Sequence, residues 1–129
     1  MFKYIKTIHS HTVAETSRHT VMNHLDIPKG TICQISNGYL VHENLPSKAY
    51  YLVVEDKKSE DGKRALDCIR LLPGMMLVGN SEFDPANATI GSNCTFTTDS
   101  NEQLTMLTTG GTTAEIVGTD GQLVTIIIN

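Results

Sequence analysis

Short runs in which apolar and polar residues alternate, each closed by turn residues, fill the chain from about Pro28 to its end. The runs are Thr31–Ser36, Tyr39–His42, Tyr50–Glu55, Ala65–Leu71, Met75–Val78, Asn93–Thr98, Gln103–Thr108, Ala114–Val117 and Leu123–Ile128. Between most of them stand Asn37-Gly38, Pro73-Gly74, Asp99-Ser100-Asn101, Gly110-Gly111 and Asp120-Gly121. A period of two over a few residues, punctuated in this way, predicts strands joined by tight turns. The expected fold is all-β: a small antiparallel β-barrel or sandwich with an extended N-terminal arm. Alternation places Ile32, Ile35, Leu52, Val54, Ile69, Leu71, Phe96, Ile116, Val124 and Ile126 in its core.

Local chemistry sharpens some of these elements. Asn37-Gly38 between two strands is a strong hairpin signal, because both central turn positions want a positive φ. Gly38 and Gly121 are expected at such positions. The last strand, Val124-Thr125-Ile126-Ile127-Ile128, is almost entirely β-branched, which predicts burial on both faces, in the barrel or against another subunit. Asp56–Lys63 reads as a charged, solvated loop, and Gly79–Ala88, with Pro85, as a second irregular one.

Residues 1–26 look different. They hold no turn glycine. Phe2, Tyr4 and Ile8 alternate with polar neighbours, apart from Ile5, and suggest an extended piece. Thr12-Val13-Ala14-Glu15 fits a helix capping box, with Val13, Val21 and Leu25 as a weak helical stripe. The intervening Glu15–Thr20 run is polar. The division expected is an arm over 1–26, ordered against a partner, and a β-barrel body over 27–129 that folds without it.

Composition narrows the function. The 129 residues suffice for one domain with a real core. No apolar run reaches the length of a membrane span, and the first residues lack the features of a signal peptide. Cys33, Cys68 and Cys94 are odd in number and far apart, which fits buried, reduced core residues and folding in a reducing cytoplasm. The net charge of −4 is unevenly laid out, +2 over residues 1–29 and −6 over the rest. Chance distributes six charges over 29 residues in this way just as readily. An acidic body argues against nucleic acid, which needs a basic face with stacking aromatics; Tyr39, Tyr50 and Tyr51 are the candidates, but Glu43, Glu55 and Asp56 surround them.

Catalytic and cofactor motifs are not found. His9-Ser10-His11 would place two rings on one strand face, yet no Asp, Glu or Cys follows at a ligand spacing, so no metal site is expected. His19, His24 and His42 are read as surface or partner-contacting residues. No nucleophile elbow is present. Thr109-Gly110-Gly111-Thr112-Thr113 lacks the Lys and helix of a phosphate loop and reads as a turn. Neither an enzyme nor a cofactor is expected.

Three passages carry a family likeness: Lys29-Gly30-Thr31-Ile32-Cys33-Gln34-Ile35 with Asn37-Gly38-Tyr39; Leu72-Pro73-Gly74-Met75-Met76-Leu77-Val78; and Ala114-Glu115-Ile116-Val117 followed by Asp120-Gly121-Gln122-Leu123-Val124-Thr125-Ile126. In order and content they resemble the small decoration (cement) proteins of tailed-bacteriophage heads. The resemblance implies a non-enzymatic clamp made in the host cytoplasm and bound to the virion exterior. Its partner would be the major capsid protein, its self-association preferentially trimeric, and it would bind neither nucleic acid nor membrane. The contacts implied for the arm are Phe2, Lys3, Tyr4, Lys6, Ile8, His9, His11 and Arg18. The Asp56–Lys63 loop departs from the family pattern. Other readings are a tail or baseplate component, or a soluble cytoplasmic ligand-binding β-barrel.

Overall fold

The computed structural model describes residues 1–8, 14–45 and 48–129. Every strand expected from Pro28 onward forms, its ends shifted by a few residues. They are β3 (Ile32–Ser36), β4 (Tyr39–Val41), β5 (Tyr51–Val53), β6 (Ala65–Arg70), β7 (Met75–Ser81), β8 (Asn93–Thr98), β9 (Leu104–Thr109), β10 (Ala114–Asp120) and β11 (Leu123–Ile128). Two more strands precede them, β1 (Lys3–Thr7) and β2 (Thr16–Thr20). The turn chemistry is as expected: Asn37 and Gly38 take φ of 52° and 83°, and Gly121 takes 61°.

Five strands close on themselves. β7, β11, β10, β8 and β9 are neighbours in that order, and β9 returns to β7 through a parallel pairing of Asn80 with Met106 and Ser81 with Leu107. A barrel this narrow is filled by side chains. Leu77, Cys94, Phe96, Leu107, Ile116, Val124 and Ile126 are all buried within it.

From β9 the sheet continues outward through one pair, Ile32 with Leu104, into β3, β5, β6 and β2, while β4 pairs with β3. β3, β5 and β6 are buried on both faces. Ile32, Leu52 and Ile69 lie in register and face the barrel core. Their neighbours Cys33, Val53 and Cys68 turn to a second cluster with Val21, Ile27, Leu40 and Leu66. The barrel covers one face of the last strand and leaves partly exposed the other, for which another subunit is the alternative cover expected. In β11 only Val124, Ile126 and Ile128 are buried; Thr125 and Ile127 are half-buried and Leu123 is exposed. Branched side chains favour a strand but do not say what covers its second face. Of the expected core, Ile35 and Val54 are only half-buried, because each sits at or just past a strand end, packed on the rim of a cluster.

The N-terminal segment also corrects its expectation. β1 pairs antiparallel with β7 and β2 with β6, so the described part of residues 1–26 belongs to the same sheet as the rest. No helix forms over 14–25; Thr12 and Val13 of the expected capping box lie outside the described residues. Phe2 explains the docking. On one edge of β7, pairing with β1 ends at Val78 and pairing with β9 starts at Asn80, leaving Gly79 at the seam. The Phe2 ring fills that seam, edge-on to Phe96 at 5.0 Å. A Cβ on Gly79 would stand 2.3 Å from the ring, so only glycine leaves it room.

The Asp56–Lys63 loop is held rather than loosely solvated. Lys57 is buried, and its ammonium donates to the Asn23 carbonyl (3.0 Å), the Lys58 carbonyl (3.0 Å) and Asp61 Oδ1 (2.8 Å). Its backbone exchanges two hydrogen bonds with Ile27. All three ammonium donors are used, which is what makes a buried cation tolerable. Asp61 also accepts from the Lys58 and Lys63 amides. The hydrogen bond from Lys57, with these amides, holds its carboxyl well below the usual carboxylate range.

Two predictions follow from this packing. Phe2→Ala should destabilise the fold by about 3–5 kcal/mol and Gly79→Ala by a comparable steric cost, but the double variant should lose clearly less than their sum, because the alanine methyl then enters the vacated space. Denaturant midpoints of the four proteins measure this, and strict additivity would place the ring elsewhere. Because the pKa of Asp61 is depressed on folding, its contribution is present above about pH 4 and is lost as the pH falls below that value. Thermal melts from pH 7 to 2 should therefore show a shallower acid decline for Asp61→Asn than for the parent.

Candidate interaction surface

The residues expected to contact a partner are dispersed. Phe2 is 4% exposed and Tyr4 packs half-buried on the barrel core, so neither is free for a partner. Both carry the apolar side of an alternating strand, and the chain's own core takes that side. Lys3 and Lys6 are exposed, in register with Val78 and Met76 of β7. Arg18 is exposed and bridges Asp67 (3.1 Å) and Glu55 (3.6 Å) across the β2–β6 ladder. His9 and His11 lie outside the described residues.

Ile8 lies elsewhere. It follows directly on Thr7, the last residue of β1, and with it lines a cleft of about 710 Å³. Ala14, Glu15, Thr16 and Ser17 at the start of β2 line it too, together with Arg70 and the Leu72-Pro73 turn. β1 and β2 are the two ends of the sheet, and each pairs with a single strand. Among the described residues the cleft therefore brings together apolar wall, one cation, one carboxylate and two sheet ends. Sequence reading names Ile8 alone among these as a contact residue. Glu15 reads only as part of a helix cap and Arg70 carries no signal, because their proximity depends on β2 pairing with β6.

The remaining candidate chemistry is structural. Tyr50 stacks edge-on to Phe96 at 5.1 Å, whereas its neighbour Tyr51 packs on the second cluster against His19 at 4.8 Å. Consecutive residues of a strand point to opposite faces, so the two rings do not share a stacking platform. Burial pushes the Cys68 thiol up to about 12 and the Cys94 thiol up to about 11, and raises Cys33 as well. Such thiols are neutral at physiological pH and inert as nucleophiles. Among the described residues no three His, Cys, Asp or Glu side chains are placed to hold a metal. No helix among them is long and apolar enough to cross a membrane. Buried Gln34, absent from the expected core, donates to the Leu45 and Lys48 carbonyls and pins the β4–β5 connection.

No protein-family model, curated protein or solved structure matches this chain.

Proposed function

We propose that the chain is a non-enzymatic structural protein of a tailed-bacteriophage virion, decorating the head by binding the outer surface of the major capsid protein shell. The supporting observation is the cleft at which both sheet ends meet. An edge strand presents unpaired backbone donors and acceptors, and an extended segment of a partner adds to it with few demands on sequence. Ile8 and Leu72 offer apolar wall to such a segment, while Arg70 and Glu15 give it polarity. The three passages that resemble decoration proteins add to the reading. A ligand-binding barrel would keep its ligand in the lumen, and here side chains fill the lumen. That geometry favours a partner taken at the sheet ends.

Co-sedimentation tests this. The protein is mixed with empty shells of a tailed-bacteriophage major capsid protein, and the bound fraction is titrated. Saturable binding is expected, weakened about tenfold by Ile8→Asp or by Arg70→Glu, since both alter the cleft wall. Salt should weaken binding only moderately, because strand addition and apolar contact are not screened as charges are. A folded chain that never binds shells would overturn the reading, and wild-type binding by both variants would remove the cleft from it.

A further inference from the structure

On the side away from the barrel lumen, β1, β7, β11 and β10 form a four-strand face whose pattern is self-complementary. Tyr4, Leu77, Ile126 and Ile116 point inward, so the alternate positions point out. One row across these strands reads Lys6, Met76, Ile127, Glu115, each in register with the next. The row beside it reads Lys3, Val78, Thr125, Gly118, with Val117 set between the two rows by a bulge. Met76, Val78, Val117 and Ile127 are half-buried, and Leu123 is 37% exposed. The centre of the face is therefore apolar, one flank carries two lysines and the other a glutamate. Lys3, Lys6 and Glu115 make no ion pair among the described residues.

We propose that this face is a homodimer interface, two copies packing face to face about a twofold axis parallel to the strands. Charge selects the axis. A twofold parallel to the strands reverses their order in the second copy, so Lys6 of one copy lies over Glu115 of the other and Met76 over Ile127. A twofold across the strands would set lysine on lysine and glutamate on glutamate. The chosen axis also leaves the strands of the two sheets nearly aligned, as in sandwiches, where sheet twist offsets them by about 30°. Each dimer holds the Lys6–Glu115 pair twice, because the interface is isologous. Four strands at about 4.8 Å spacing give a footprint of about 400 Å². That is about half of the 800 Å² per partner in a standard stable interface, so the dimer is weak, with Kd in the micromolar range. The second copy uses the sheet face and leaves the cleft open, so the inference stands apart from the capsid reading.

Sedimentation velocity of the full chain across about 5 to 500 µM, a range that brackets a micromolar Kd, tests it. A concentration-dependent monomer–dimer equilibrium is expected. Ile127→Lys, placing a charge in the apolar centre, should leave a monomer with unchanged circular dichroism. Lys6→Glu and Glu115→Lys should each raise Kd about fivefold or more, since each spoils both copies of the pair. The double exchange K6E/E115K should return Kd to near the parental value. Within one chain the two residues are about 14 Å apart, three strand spacings, so rescue cannot come from an internal ion pair. A monomer at every concentration, a trimer, or a dimer indifferent to the Lys6 and Glu115 exchanges would overturn the proposal. Failure of the double exchange to restore what the single ones lose would overturn the axis. These charge variants decide the question even if Ile127→Lys does not fold.

Discussion

A sheet that is apolar on both faces must be covered on both, and β3, β5 and β6 impose that requirement here. Ile32, Leu52 and Ile69 look into the barrel, while Cys33, Val53 and Cys68 look the other way. The five-strand barrel satisfies the first face. The second is covered by what the chain has left: Val21 and Leu25 after β2, Ile27, and Leu40 of β4. Burial of apolar area is the dominant favourable term in folding, so this second face draws the N-terminal segment into the body. It also accounts for Lys57, whose backbone pairs with Ile27 beside this cluster and whose side chain is consequently carried into the interior. The three hydrogen bonds at its ammonium are the condition on which that cover is possible.

How much could be seen in the sequence follows from where each signal resides. Strands bounded by Asn37-Gly38, Pro73-Gly74 or Asp120-Gly121 were legible, because a turn glycine with positive φ writes its requirement locally. β1 and β2 were not legible as part of the body. Lys3 pairs with Val78 and Thr16 with Ile69, partners far downstream, and Thr16-Ser17-Arg18-His19-Thr20 carries almost no apolar pattern. Alternation located Val124 and Ile126 correctly but did not reveal that the barrel leaves Ile127 half-buried on its outer face, since branched residues satisfy strand propensity on either face. Buried Lys57 and Gln34 defied residue type altogether. Each is decided by the carbonyls that surround it, and those come from other loops.

The same long-range pairing separates the surfaces available to partners. Had residues 1–8 been a loose arm, Phe2, Tyr4, Lys3 and Lys6 would have formed one contact strip. Because β1 is laid on β7, its apolar side goes to the core and its lysines to an outer face, while its last residues pass to the cleft. The two surfaces proposed for partners are thus a sheet face and a sheet end. If both were occupied together, weak contacts would sum through multivalency.

β7 is flanked on one edge by β1, near the start of the chain, and on the other by β11, at its end. During synthesis β1 and β7 are made before β11. Throughout that interval the nascent chain carries an apolar strand, Met75-Met76-Leu77-Val78, with one edge unpaired, and the barrel around it has no way to close. Closure of the barrel therefore waits for β11 and is slow by virtue of its non-local topology. Such an intermediate is the species most exposed to aggregation and to chaperones. The strand Met75-Met76-Leu77-Val78 is therefore the element whose protection until β11 pairs with it matters most to folding.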